Sequence, residues 1–121
     1  MYPSSMTDQS PKLSVRIDFP NGMRFGPGKA ALLQQLIASG SIKAAAAALG
    51  MSYPRALKLV DQMNHCFASP LVKAQHGGVS GGGALVTDRG REVLSLYEAI
   101  CRQSAEGQQS ELEKLAACIT D

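Results

Sequence analysis

Residues 40–54, GSIKAAAAALGMSYP, constrain this chain more than any other stretch. The run Ala44–Ala48 is built from the strongest helix-forming residue, and stop and start signals bound it on both sides. Ser41 can cap a helix start, Gly50 can end that helix, and Ser52 can cap the next. Pro54 then falls in a first helical turn, where its missing N–H costs little. The expectation is a helix over Ile42–Leu49, a corner of about three residues containing a glycine, and a second helix starting at Ser52. Ala45 and Ala48 have no side-chain bulk, so the two helices can approach closely. In the second helix Ala56, Val60, Met63 and Phe67 follow helical spacing and predict one buried stripe, while Arg55, Lys58, Asp61 and Gln62 face elsewhere. Two helices across so short a corner have the length and chemistry of a helix-turn-helix, whose second helix enters the DNA major groove.

The flanks extend this pattern. Leu13 to Phe19 alternates apolar and polar residues, as a half-buried strand does. Pro20-Asn21-Gly22 carries a strong hairpin-turn signal, and Met23–Phe25 supplies a short return strand. Lys29–Ser39 reads as a helix with Leu33, Leu36 and Ile37 on one side, stopping at Gly40. After Ser69-Pro70, the β-prone runs Leu71–Gln75 and Ala84–Val86 flank the stretch HGGVSGGG at residues 76–83. A hairpin directly after a helix-turn-helix makes a winged helix. Thr87 is a fitting N-cap for the last helix, with Asp88 near its positive end. Val93, Tyr97, Ile100 and Cys101 form one apolar stripe on that segment, and Leu112, Leu115, Ala116 and Ile119 form another beyond Gly107. The sequence leaves open whether the helix runs through Gly107. Apolar stripes on an acidic, polar segment call for a partner helix, which a second copy of the chain supplies most simply.

The expected fold is therefore mainly α with small β-hairpins: a winged helix-turn-helix with an N-terminal hairpin and a long C-terminal dimerisation helix. Residues 1–12 would be a flexible N-terminal arm, 13–90 the DNA-binding domain and 91–121 the dimerisation helix. A length of 121 residues suits one domain. The net charge is only +2, but it is unevenly spread. Residues 1–90 hold nine Lys/Arg against four Asp, whereas residues 91–121 hold three basic and six acidic residues. A basic body with an acidic tail points the body towards an anionic partner. The chain shows neither a secretory leader nor an apolar run of about 18 residues, so the expectation is a cytoplasmic protein without membrane association.

Other chemistry finds little support. The three cysteines, Cys66, Cys101 and Cys118, have no CxxC spacing and no paired histidines, so no metal site is expected. Gly78 to Gly83 has the spacing of a Walker phosphate loop, but Ala84 and Leu85 stand where it needs Lys and Ser or Thr. The letters GVSGG match a nucleophile-elbow pattern, yet they fall between two expected strands rather than at a strand-to-helix turn. Neither His65 nor His76 has a catalytic companion. No enzyme activity and no cofactor are expected.

Residues 40–56, the Met63-Asn64 pair, Leu71-Val72 and the glycine-rich run through GGGALVT at 81–87 together resemble the N-terminal DNA-binding domain of ModE-type molybdate-responsive regulators. More distantly they are similar to the helix-turn-helix of LysR-type regulators. The resemblance covers roughly residues 13–100 and implies binding of double-stranded DNA. It does not imply oxyanion sensing: the C-terminal β-modules that hold molybdate or tungstate in that family have no counterpart in these residues, so binding of either is not supported by this chain. Lys43, Ser52, Tyr53, Pro54, Arg55 and Lys58 on the two helices, and Lys73, His76, Gly77, Gly78 and Ser80 on the wing, are the expected DNA-contacting residues. Ser52 and Tyr53 would position phosphates, Arg55 and Lys58 could reach guanine O6 and N7, and the wing glycines would let backbone approach a strand. Val93, Tyr97, Ile100, Leu112, Leu115 and Ile119 would form the homodimer contact. The function expected is a sequence-specific transcriptional regulator on a pseudo-palindromic operator. The alternative is a winged-helix interaction module that does not bind DNA and pairs with or titrates a longer regulator.

Overall fold

The computed structural model describes residues 11–75 and 83–119. Residues 1–10, most of the expected arm, and residues 76–82, which include His76, Gly77, Gly78 and Ser80, lie outside them. The described residues form five helices and two separate two-stranded antiparallel hairpins. In chain order these are β1 (Ile17–Asp18), β2 (Arg24–Phe25), α1 (Pro27–Ser39), α2 (Ile42–Ala48), α3 (Tyr53–Cys66), β3 (Val72–Gln75), β4 (Gly83–Val86), α4 (Asp88–Gly107) and α5 (Gln109–Ile119). None of the described helices is long and apolar enough to cross a membrane. The mainly α architecture with small hairpins agrees with the expectation from sequence.

α1 is the axis of the core. Its Leu32, Leu33 and Leu36 are completely buried, and it touches α2, α3, α4, β2 and β4. Burying side chains of this size stabilises the fold by about 1.5–3 kcal/mol each. Beyond its first two residues α2 is all alanine; it packs through the buried Ala45 and Ala46, with Ile42 half-buried against the same core. Ala48, expected to lie at the close approach, is instead exposed; a helix turns 100° per residue, and the adjacent pair 45–46 is the one directed inward. Gly40 and Gly50 bracket this helix with φ of 70° and 67°, the left-handed region that β-carbons disfavour. At Gly50 the exit is a Schellman closure: Met51 N–H donates to Ala46 O at 3.0 Å and Gly50 N–H to Ala47 O at 3.2 Å.

The N-terminal hairpin is shorter than the alternating pattern suggested. Only Ile17↔Phe25 and Asp18↔Arg24 pair, because the return strand is two residues long and residues 13–16 find no strand beside them. The turn nevertheless has a tertiary use. Asn21 accepts from Met23 N–H at 2.9 Å through Oδ1 and donates from Nδ2 to Cys66 O at 3.3 Å, closing the C-terminal end of α3. Phe19 and Phe25 both meet Phe67 edge-on, with ring centroids 5.6 and 6.3 Å apart, and Phe25 meets Tyr97 at 5.1 Å. This aromatic group ties the hairpin, the end of α3 and α4 into one core.

The C-terminal segment departs most from expectation. It is two helices, not one long one: α4 stops at Gly107, Gln108 leaves helical geometry with φ −118° and ψ 15°, and α5 restarts at Gln109. Glycine is among the poorest helix formers, and here it allows the break. The expected division at residue 90/91 falls inside α4. Tyr97 does not face outward for a partner. It is buried within the chain, and its hydroxyl donates to Val15 O at 2.6 Å, because its ring is needed beside Phe25. Leu94, absent from the expected stripe, is buried beside it, and Val93 packs partly against the same core.

Two outcomes follow for stability. A β-carbon on Gly90 would lie 2.5 Å from Leu71 O and 2.7 Å from Val86 Cγ1, so Gly90→Ala should destabilise by about 1–3 kcal/mol, read from urea denaturation. Burial, reinforced by the Cys101 thiol, pushes the Tyr97 hydroxyl up from 10.0 to about 12. The folded state therefore keeps this proton where the unfolded chain loses it. Its contribution is intact below pH 10 and disappears as pH rises towards 12. Tyr97→Phe should remove that part of the alkaline loss in a pH-resolved denaturation series.

Candidate nucleic-acid interface

Ser52 lies just before α3 with extended backbone, φ −72° and ψ 155°, and its Oγ accepts from Arg55 N–H at 3.2 Å. Pro54 occupies the first turn as expected. Ala56, Val60 and Met63 turn inward, which leaves Tyr53, Pro54, Arg55, Leu57, Lys58, Asp61 and His65 exposed. The Arg55 and Lys58 side chains make no ion pair or hydrogen bond with any described residue. Some other basic residues are engaged: Arg16 pairs with Asp18 at 3.1 Å, Arg89 with Glu92 at 3.3 Å, and Lys29 Nζ donates to Arg24 O at 2.6 Å. Asp61 is engaged by His65, whose Nδ1 is 2.7 Å from Asp61 O and 3.5 Å from its carboxylate.

The second hairpin, β3–β4, is held beside α3 through backbone. It pairs in the register Val72↔Val86, Lys73↔Leu85, Ala74↔Ala84 and Gln75↔Gly83. Val72, Ala84 and Val86 are buried, while Lys73 and Leu85 form an exposed cross-strand pair. Asn64, near the end of α3, fixes the root of this hairpin. Its Oδ1 accepts from Leu71 N–H at 2.8 Å and Val72 N–H at 3.1 Å, and its Nδ2 donates to Val72 O at 2.9 Å. Thr87 closes the other side: its N–H donates to Leu71 O at 2.9 Å, its hydroxyl donates to Pro70 O at 2.8 Å, and its Oγ1 caps α4 by accepting from Gly90 N–H at 3.0 Å. Ala84 N–H donates to Gly40 O at 2.9 Å, which anchors the hairpin to the end of α1 as well.

Of the expected contact residues, Ser52, Tyr53, Pro54, Arg55 and Lys58 thus share one exposed segment of α3, Lys43 is exposed on α2, and Lys73 is exposed on the hairpin. The expected wing-tip residues lie outside the described ones. Sequence reasoning missed Asn64 as the clamp; the Met63-Asn64 pair was noted only as part of a pattern. It also missed an open cleft of about 700 Å³ at the hairpin root, lined by Lys73, Arg89 and Arg91 but also by Asp88 and Glu92. Its mixed signs make it a poor anion site. Among the expected pairing residues, Ile100, Leu115 and Ile119 are exposed and Leu112 is half-buried, whereas Tyr97 is used within the chain. Among the described residues no three His, Cys, Asp or Glu are grouped to hold a metal ion.

Truncating the clamp should show its weight. Asn64→Ala would leave the buried N–H groups of Leu71 and Val72 without an acceptor, at about 1–3 kcal/mol for each group. Asn64→Asp keeps the acceptor, so chemical denaturation should rank it between wild type and Asn64→Ala.

No family model matches the chain. It is 43% identical over 79 residues to the molybdenum-pterin-binding protein MopB of Rhodobacter capsulatus, covering 65% of this chain and 29% of that protein. It is 34% identical over 86 residues to the molybdenum transport protein ModE of Azotobacter vinelandii, covering 71% of this chain and 32% of that protein. It is also 34% identical over 76 residues to the DNA-binding transcriptional dual regulator ModE of Escherichia coli K12, covering 63% of this chain and 29% of the relative. None of these names is that of an enzyme. The chain spans about a third of the length of these relatives, and over about two-thirds of its own length it is similar to ModE and Mop proteins.

Proposed function

We propose that this chain is a sequence-specific DNA-binding transcriptional regulator of winged helix-turn-helix type. In this reading α2 and α3 are the helix-turn-helix, α3 is the recognition helix, and β3–β4 is the wing. The observation that carries it is the exposed segment of α3: Arg55 and Lys58 lack any partner among the described residues, Ser52 caps the helix start beside them, and Asn64 fixes a hairpin to the same helix. Cations held on a rigid helix without internal counter-charges suit a polyanion. A helix of this exposure can enter a major groove and place Arg55 against guanine O6 and N7. The DNA-binding role in the name of the E. coli relative points the same way.

Lys43 and the Ser52-Tyr53-Pro54 start of α3 would meet phosphates, as would Lys73 and the tip residues His76, Gly77, Gly78 and Ser80 on the wing. Residues 13–90 would form the DNA-binding unit, and residues 91–121 the pairing element of a homodimer. Ile100, Leu112, Leu115 and Ile119 would make that contact, joined by Leu96, whose side chain is also exposed. Two-fold symmetry then places two α3 helices on a pseudo-palindromic operator, one or more helical turns apart. No cofactor is needed. The molybdenum-pterin binding in the MopB name belongs to a protein of which this chain matches 29%.

Arg55→Ala should weaken binding to a selected operator by about 1–3 kcal/mol and relax sequence choice, measured by fluorescence anisotropy. Affinity should fall steeply with added salt as counterions are released. An interaction module that merely pairs with a longer regulator would show no salt-dependent DNA binding. Heat on calorimetric titration with molybdate, without DNA binding, would replace this reading by one built on the MopB name.

A further inference from the structure

α3 carries more than cations on its exposed side. Tyr53 is 48% exposed and Leu57 40% exposed, and no other large apolar residue of this helix is so open to solvent. They lie four residues apart, one turn above the other, so their side chains share a flank of the helix in its first half. Arg55 lies between them in sequence and Lys58 follows Leu57 directly, both without partners among the described residues. Around the helix axis Lys58 is one step of about 100° from Leu57 while Arg55 lies towards the opposite side, so an apolar flank borders a cationic face, and such a helix suits a polyanion that offers apolar groups of its own. Duplex DNA does so in one place: the thymine 5-methyl group, which projects into the major groove.

We propose that Leu57, with Tyr53 beside it, reads thymine methyl groups in the major groove and is a specificity-determining residue of this chain. This rests on the DNA-binding reading of α3 given above. Arg55 and Lys58 have guanine acceptors as their base targets, so the helix would read thymine by apolar contact and guanine by hydrogen bonding. Leu57 flanks the core stripe of Ala56, Val60 and Met63 and is 40% exposed while the stripe is buried, so replacing it changes mainly the exposed surface.

The test begins with selection of bound duplexes from random DNA by the whole chain. Each thymine of the selected duplex is then replaced singly by deoxyuridine, which removes the methyl and nothing else. Wild-type affinity should fall about fourfold at one or two positions, the loss expected for a carbon group no longer buried. Leu57→Ala, with its helicity confirmed by circular dichroism, should bind the thymine duplex more weakly and lose its sensitivity to deoxyuridine at those positions. Equal wild-type binding to every deoxyuridine duplex would overturn the assignment, and so would full sensitivity retained in Leu57→Ala. Failure to enrich any duplex would instead remove the DNA-binding reading beneath it.

Discussion

The peptide group of Leu71 is the joint on which the architecture depends. Its N–H is taken by Asn64 of α3, and its carbonyl accepts from the Thr87 backbone at the start of α4. Gly90 lies so close to that carbonyl that no side chain fits between them. One fully buried residue outside helix and strand thus fixes three elements against each other. Buried backbone groups must find partners or cost free energy, and here the partners are the Asn64 side chain of α3 and the Thr87 N–H that precedes α4. The geometry of the hairpin root is therefore set by hydrogen bonds with direction, not only by apolar contact without it.

That arrangement separates two duties along α3. Its inward stripe and its Asn64 end are committed to the fold, while the outward side of its first two turns is left to solvent with Ser52 capping the Arg55 N–H. Rigidity and availability meet on the same helix. A surface intended for recognition gains from such support, since side chains projecting from a fixed backbone lose less freedom on binding. The cations near the hairpin root differ in kind. Arg89 is matched by Glu92, and Asp88 lines the same cleft, so the cations there stand among carboxylates.

Features that depend on neighbouring residues could be read directly. Ser41, Ser52 and Thr87 all cap the helices assigned to them, because each reaches an N–H only three residues on. Of the expected stripe, Ala56, Val60 and Met63 are buried as their spacing requires, whereas Phe67 has left the helix with extended backbone and is half-buried. Features that depend on distant residues could not. Tyr97 looked like part of an outward stripe, and what turns it inward is the carbonyl of Val15, 82 positions earlier. Asn64 looked like a polar residue on a helix surface, and its partners exist only once the chain has returned as β3. The break at Gln108 lay between these cases: Gly107 allowed either a continuous helix or two, and the local sequence holds no further signal to decide. In the candidate interface the cations were readable as residue types, but that Arg55 and Lys58 meet no counter-charge among the described residues was not.

The two left-handed glycines that bracket α2 keep it short, and a short helix depends on its neighbours. Seven residues make a helix too short to persist alone in water, and what it offers the core is the methyl groups of Ala45 and Ala46 with Ile42 half-buried. Its persistence as a helix therefore depends on α1 and α3, the two elements it packs against most.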